Sequence, residues 1–176
     1  ILERPLMFER TTEFIDTAGC GYEEALNKET LSTFNREEAS FTINQLKGIV
    51  ASFDQTENYS YAIIAPYKAQ VELLRYFLSE LKYPPTLLKR ISINSVDAFQ
   101  GQERDIVLIS LTRSNAQGVI GFLSEEKRMN VAMTRAKYKL LLIGDSATLS
   151  RHSFFDKLIQ HYQAQHHCRS AVEFLY

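Results

Sequence analysis

The sequence has little of several features that mark particular classes of protein. Only two of its 176 residues are cysteines, Cys20 and Cys168, and neither belongs to a Cys-x-x-Cys pair. A disulfide framework is therefore excluded, and we expect both thiols to be reduced. No apolar run approaches the roughly 20 residues that span a bilayer, and the first residues do not form a signal-peptide pattern. We expect no membrane partner and a cytoplasmic location, with association with a nucleoid or a nucleus left open.

An excess of charge of one sign is also missing. The 20 Lys and Arg residues are balanced by 21 Asp and Glu residues, which gives a net charge of −1. Any nucleic-acid binding must therefore use a local basic strip, because the domain lacks the overall basic excess of many autonomous binders. The length predicts one domain over residues 1–176. Since the first residue is Ile1, we expect this domain to be a fragment of a longer protein.

Two motifs of nucleotide-binding proteins are absent. No G-x-x-x-x-G-K-[ST] phosphate loop occurs, because Lys47-Gly48 has the reverse order, and no Asp-Glu pair follows an apolar strand to hold magnesium. No G-x-G-x-x-G opens a helix after a strand, which disfavours a small-molecule enzyme of the Rossmann type. A complete nucleotide site is therefore not expected within this chain alone.

Apolar, β-branched runs alternate with helical patterns along the chain. This alternation predicts an α/β fold in which a parallel sheet has helices on both faces. A helix is predicted after Asn35, a suitable N-cap with Glu38 three residues on. Further helices are predicted over 68–81 and 151–165, followed by a short tail. The predicted strands cover residues 13–17, 61–65, 91–95, 106–111 and 140–144.

Polar residues follow the predicted strand 91–95, namely Ser95, Asp97, Gln100, Gly101 and Glu103. Ligands of open α/β sheets bind at the carboxyl ends of the strands, where we expect these residues to lie. A serine hydroxyl suits a phosphate, a glycine permits close backbone approach, and a glutamate accepts hydrogen bonds from a sugar hydroxyl. Ordinary turn chemistry explains the same residue types, so the composition of the loop leaves both interpretations open.

Two arginines, Arg128 and Arg135, fall in a helix predicted to begin near residue 125. A spacing of seven residues would place them on one face, about 10.5 Å apart along the helix axis. The guanidinium fork engages phosphate oxygens in a way that lysine cannot, so Arg135 fits an arginine finger. The alternative is that Arg135 complements the carboxyl end of the helix or pairs with a carboxylate.

Together, these two blocks resemble motifs V and VI of superfamily 1 helicases. Ser-Val-Asp-Ala-Phe-Gln-Gly-x-Glu at 95–103, followed by Arg-x-Asn-Val-Ala-x-Thr-Arg-Ala at 128–136, is similar to superfamily 1B, the branch that includes the nonsense-mediated-decay RNA helicase. The similarity extends to 14–17, 35–39 and Ala-Pro-Tyr-Lys-Ala-Gln at 65–70, and it covers most of residues 13–150. It implies the second RecA-like domain of a helicase motor, with the fold type of the P-loop NTPases.

The resemblance implies that ATP with Mg²⁺ binds in a cleft between this domain and a first RecA-like domain. That first domain would supply the phosphate loop and the magnesium ligands, so the isolated chain is expected to be inactive. Arg135 would be the catalytic finger on the γ-phosphate. Gly101 and Glu103 would line the nucleotide side of the cleft, and Gln100 would couple the cleft to the strand.

The same resemblance implies that single-stranded DNA or RNA contacts Ser95, Val96 and Asp97, with Tyr67 and Gln70 as further candidates. Three aromatic residues are candidate stacking partners for bases: Tyr67, Phe99 and Phe122. For Phe99, a place in the core is favoured.

Two alternatives of other classes stay open at the level of the sequence. One is a helicase-like module that binds nucleic acid or protein without turnover. The other is a zinc site at His161, His166, His167 and Cys168, but a solvated tail is favoured because a structural zinc site needs four ligands at recurring spacings. No metal site is therefore predicted.

Overall fold

The computed structural model describes residues 11–54 and 58–175 of the protein. Within them, a six-stranded sheet has the order β5-β4-β6-β7-β1-β8, and every neighbouring pair is parallel. Its strands are β1 Thr12–Asp16, β4 Tyr61–Ile64, β5 Ile91–Asn94, β6 Arg104–Ser110, β7 Ala136–Gly144 and β8 Cys168–Ser170. A separate antiparallel hairpin pairs β2 Ala25–Leu26 with β3 Thr33–Phe34.

Helices cover both faces of this sheet. They are α1 Arg36–Phe53, α2 Lys68–Glu80, α3 Pro85–Leu88, α4 Glu126–Met133, α5 Ser146–Leu149 and α6 Ser153–Ala164, together with short 3₁₀ helices at Val96–Phe99, Gly121–Ser124 and Ala171–Phe174. Side chains alternate along each strand, so Ile63 of β4 packs in one core cluster and Ile64 in the other. The first cluster lies under α1 and α2, and the second lies under α4 and α6. The predicted α/β fold class is confirmed.

The predicted strands and the first two helices are confirmed, with ends that differ by at most four residues, the largest difference being at the start of β7. Asn35 is the N-cap of α1, and its Oδ1 accepts from the backbone N–H of Glu38 at 3.0 Å. The Glu38 side chain does not return to Asn35, because its Oε1 instead accepts from the Ser110 hydroxyl and the Thr112 N–H, each at 2.7 Å. The Asn35 N–H donates to Oε1 of Gln70 at 2.8 Å.

The carboxyl-terminal region differs from the prediction in two ways. The helix predicted over 151–165 begins at Ser153 and is preceded by the separate helix α5. The predicted tail contains β8, which pairs with β1 through Phe14 and Cys168. A strand of three half-buried residues has no apolar pattern that a sequence could reveal.

None of the helices in the described part of the chain is both long enough and apolar enough to cross a membrane.

Candidate nucleotide and nucleic-acid interfaces

Two connecting segments cross the same face of the sheet side by side. One joins β5 to β6, from Ser95 to Glu103, and the other comprises α4 and the turn that leads into β7. Both segments end at the amino end of the sheet, because Arg104 of β6 is the register partner of Ala136 of β7. At the carboxyl end, Ser95 and Arg128 line one small cavity. The segments therefore connect the two ends of the sheet.

The predicted polar block is divided between these two ends. Sequence reasoning placed Gln100, Gly101 and Glu103 with Ser95 at the carboxyl ends of the strands, and this was wrong. Parallel strands require a crossover that returns to the amino end before the next strand begins. The 3₁₀ helix Val96–Phe99 and the following loop form that crossover, so the three residues lie just before β6.

Arg135 lies outside the helix that was predicted to contain it. Helix α4 ends at Met133, Thr134 is its C-cap, and Arg135 occupies the turn into β7. Arg128 and Arg135 therefore do not share a helical stripe but lie at opposite ends of the segment. The helix ends early because the chain must enter β7 at Ala136, where the ladder to β6 begins.

The guanidinium group of Arg135 is held by neutral acceptors at the amino end. Its Nε donates to the carbonyl oxygen of Val131 at 3.1 Å, and its Nη1 donates to the carbonyl oxygens of Phe99 at 3.4 Å and Gln102 at 3.3 Å. Nη2 donates to the Thr134 hydroxyl at 3.3 Å. The bond to Val131 complements the carboxyl end of α4, which is what the alternative to an arginine finger predicts for Arg135.

The positive charge of Arg135 has no acidic partner in the described part of the chain. The ion pairs found there involve other arginines and Lys139. Arg135 is half-buried and therefore reaches the surface. Gln100, Gly101 and Glu103 are exposed beside it. Gly101 has a φ of +72°, and a Cβ added there would meet no atom within 4 Å, so the space next to this turn is open.

At the carboxyl end, the predicted strand-contacting residues are in different environments. Ser95 is half-buried, whereas the side chain of Val96 packs in the core beneath it. Asp97 is exposed and forms an ion pair with Arg128. Its negative charge therefore faces a cation of the protein, and it would repel a phosphate.

Two of the predicted strand-contacting residues lie inside the domain. Gln70 is fully buried, and its Nε2 donates to the carbonyl oxygen of Asn35 at 3.1 Å and to the Ser110 hydroxyl at 3.0 Å. Tyr67 is 6% exposed, and its hydroxyl donates to the carbonyl oxygen of Ile120 at 3.1 Å. Gln70 fixes α1 and α2 to β6. That Gln70 contacts single-stranded nucleic acid stays a prediction, and the burial of Gln70 argues against it.

Glu38 is a buried charged residue whose environment sequence reasoning did not foresee. Burial raises its pKa to about 7, although hydrogen bonds from Ser110 and Thr112 lower it and the charges of Asp145 and Glu24 raise it further. Within the described residues, its Oε2 has no hydrogen-bond partner. The N-cap pattern distinguishes Glu38 from the exposed Glu37 beside it, but that pattern predicts a bond back to Asn35 and not burial against Ser110.

A metal centre is not evident in ranges 11–54 and 58–175. There, no three His, Cys, Asp or Glu side chains are grouped so that they could hold a metal ion. Of the residues considered for zinc, His161 belongs to α6 and Cys168 to β8.

A parallel sheet with helices on both faces defines this chain as a RecA-like α/β domain, and comparison with known proteins assigns its family. Residues 3–147 match the family described as AAA domain. Over 161 residues, which are 92% of this chain, it is 39% identical to the DNA-binding protein SMUBP-2 of Mus musculus. It is 38% identical to Helicase sen1 of Schizosaccharomyces pombe over 74% of the chain, and 35% identical to Regulator of nonsense transcripts 1 of Caenorhabditis elegans over 83%.

The chain therefore belongs to the superfamily 1 helicases of the type that includes Sen1 and the regulator of nonsense transcripts, and it is the second domain of that type. The resemblance inferred from the sequence is confirmed. The chain spans 15%, 8% and 14% of the lengths of these three relatives. A solved structure of the C-terminal domain of a possible DNA helicase from a Lactobacillus covers 77% of this chain and 74% of its own, with a TM-score of 0.47 and 14% identity.

Proposed function

We propose that this domain is the second motor domain of an ATP-dependent helicase, that it binds single-stranded DNA or RNA, and that it supplies Arg135 as the arginine finger. The observation that carries the proposal is the guanidinium of Arg135, which reaches the surface beside the exposed loop 100–103 without an acidic partner among the described residues. A charge that is positioned but not neutralised suits a phosphate supplied from outside the domain.

The residues at the amino end fit one side of a nucleotide. Arg135 offers a cation for the terminal phosphate, Glu103 offers acceptors for a sugar hydroxyl, and Gly101 leaves the backbone approachable. They do not make a complete site, because the sequence lacks a phosphate loop and an Asp-Glu pair for magnesium. A first RecA-like domain is therefore the partner that this proposal requires. ATP bound in that cleft would supply the phosphoryl group that is transferred to water.

The arrangement links nucleotide and strand through the two parallel segments. A finger supplied across a cleft makes its full contact only when the domains close, so hydrolysis is tied to movement. Arg135 follows the last turn of α4 and lies at the amino end of the sheet. Arg128 belongs to the first turn of α4 and lies near Ser95 at the carboxyl end of the sheet. A shift of α4 when the domains close would therefore move Arg135 at one end of the sheet and Arg128 at the other. Contacts from Ser95 to the phosphate backbone would not depend on base identity, as a translocating motor requires.

The test is to replace Arg135 in the full-length protein and to measure strand-stimulated ATP hydrolysis. Arg135→Ala is expected to reduce kcat by roughly 10³-fold or more, as for other arginine fingers. Arg135→Lys is expected to lose most of the activity too, because lysine lacks the planar fork. Strand affinity and thermal stability should be nearly unchanged. The matched control is Lys137→Ala, which removes an exposed cation two residues away and should leave kcat within about twofold.

An ATPase activity of Arg135→Ala close to that of the wild type would contradict the proposal. If the wild-type protein bound strands or proteins without any turnover, the domain would instead be a helicase-like interaction module.

A further inference from the structure

Phe122 is an exposed aromatic ring at the carboxyl end of the sheet, near Ser95 and Arg128. It lies in the 3₁₀ helix Gly121–Ser124 and is 57% exposed. Its ring packs beside Tyr67, with a centroid distance of 5.6 Å and an interplanar angle of 38°. A single exposed ring is ordinary on a protein surface, so a role for Phe122 depends on what supports and surrounds it.

The ring that supports Phe122 is held rigidly. The Tyr67 hydroxyl donates to the carbonyl oxygen of Ile120 at 3.1 Å and accepts from Nη1 of Arg113 at 2.9 Å. Arg113 is in turn fixed by Glu24, with Nε donating to Oε2 at 2.8 Å and Nη2 to Oε1 at 3.1 Å. A ring supported in this way needs little ordering when a flat ligand binds, which favours affinity.

Gly121 lets the two sides of this support approach each other. A Cβ at position 121 would lie 2.5 Å from Nη1 of Arg113 and 2.7 Å from the Tyr67 hydroxyl, and the φ of Gly121 is +52°. A glycine is therefore required both by the space and by the backbone. The close approach sets Phe122 directly on the Tyr67 ring.

Phe122 separates two depressions of the surface. On one side is the cavity that contains Ser95 and Arg128, and on the other is a groove of about 510 Å³ that contains Lys68. Phe122 and Pro66 line both. A chain that runs from Ser95 into the groove therefore crosses the boundary that Phe122 and Pro66 form, and Phe122 is the aromatic ring on that boundary.

The charges of this surface suit an anionic chain. None of the described residues that line the cavity or the groove is an aspartate or a glutamate. Lys68 is exposed there, and it forms no ion pair with a described carboxylate. By contrast, a neighbouring groove contains Glu23, Glu24 and Asp145. Arg128 and Arg113 are already paired with Asp97 and Glu24, so Lys68 is the charge here that favours a polyanion beside Phe122, and the acidic groove disfavours one.

We propose that Phe122 is a base-stacking residue, on which one base of the bound single strand rests while Ser95 contacts the backbone. This inference rests on the proposed function and adds a base contact to its strand site. Every base has a π-face, so stacking grips a strand without selecting a sequence. Such a contact would hold the strand in place between steps of the motor, when backbone contacts alone are weakened by salt.

The experiment compares two strands of equal length, one with all bases and one with an abasic stretch. Binding to the full-length protein is measured by fluorescence anisotropy at one fixed salt concentration, with whichever of DNA or RNA the wild type binds more tightly. Phe122→Ala is expected to weaken binding of the complete strand by about 5- to 150-fold, the range for loss of one stacked base. Binding of the abasic strand should change by less than about twofold. Phe122→Trp should restore the affinity for the complete strand.

Tyr76→Ala is the matched control. Tyr76 is a 55% exposed aromatic that also packs against a neighbouring ring, Phe77, at 5.7 Å. It lies nine residues beyond Tyr67, about 13 Å further along α2, and its loss should change neither affinity. An unchanged affinity of Phe122→Ala for the complete strand would overturn the inference, and so would an equal loss for both strands. If hydrolysis in the same preparations still depends on Arg135, the proposed function stands and only the stacking role is lost.

Discussion

Arg135 and Gln102 are joined by a hydrogen bond in which Nη1 of the arginine donates to the carbonyl oxygen of Gln102 at 3.3 Å. The backbones are joined nearby, because the N–H of Arg104 donates to the carbonyl oxygen of Arg135 at 2.9 Å. Gly101 directly precedes Gln102, so its left-handed backbone helps to place Gln102 beside Arg135. The loop and the arginine therefore form one unit at the amino end of the sheet.

We expect Gly101→Ala to destabilise the fold by about 1 to 2 kcal/mol. Gly101 has a φ of +72° and open space around its missing Cβ, so the cost comes from the left-handed backbone alone. Gly101→Asn should cost less, because asparagine tolerates this conformation better. Unfolding in denaturant measures both free energies of unfolding.

Gly48→Ala is the control for Gly101. Gly48 lies within α1, and a Cβ there would also meet nothing within 4 Å, so alanine should stabilise the protein by about 0.5 to 1 kcal/mol. If both substitutions stabilised the protein, the turn at Gly101 would not be left-handed and its link to Arg135 would have to be reconsidered.

We expect Asp97→Asn to strengthen the binding of single strands. The ion pair between Asp97 and Arg128 is exposed, with 66% and 40% of the side chains accessible, so little stability is at stake. Removal of the carboxylate frees Nη2 of Arg128 for a phosphate, while Nη1 keeps Glu125 as a more distant acidic partner at 3.7 Å. The affinity should rise by about 2- to 5-fold at low salt. The slope of log K against the logarithm of the salt concentration should become more negative by up to about one.

Glu80→Gln provides the comparison for Asp97. It removes an exposed carboxylate from the last residue of α2, twelve residues and about 18 Å from Lys68. Strand affinity should stay within twofold of the wild type in this variant. Weaker binding by Asp97→Asn would show that the carboxylate contributes to the strand site, as the original sequence-based prediction had it.

Much of the fold follows from patterns that the sequence displays openly. The buried run of β6 and the N-cap Asn35 are local signals, and both were interpreted correctly. The position of Gly101 could not be predicted from local signals, because it depends on the length and direction of the crossover from β5 to β6. Arg135 left its predicted helix for a similar reason, since pairing between β6 and β7 overrides helical spacing from Ala136 onwards. Motif order predicted the family, but only the sheet shows that Gly101 and Arg135 lie at the opposite end from Ser95.

Glu38 should make the stability of the domain depend on pH near neutrality. Burial raises its pKa from 4.5 to about 7 in the folded state, so the folded protein retains a proton that the unfolded chain has already lost. Between these two values the folded state binds more protons, and stability therefore falls as the pH rises. The stabilisation is fully present below about pH 4.5 and is lost by about pH 7. Its size is on the order of 3 kcal/mol.

Glu38→Gln is expected to remove this pH dependence, because glutamine can accept from Ser110 and Thr112 without carrying a charge. Its free energy of unfolding should exceed that of the wild type at pH 8 and approach it at pH 5. Glu37→Gln, on the exposed position beside it, should follow the wild-type profile. Denaturant unfolding across pH 5 to 8 distinguishes the variants. A Glu38→Gln profile parallel to the wild type would show that Glu38 reaches solvent or a cation in solution, and that the buried network around Ser110 is open to water.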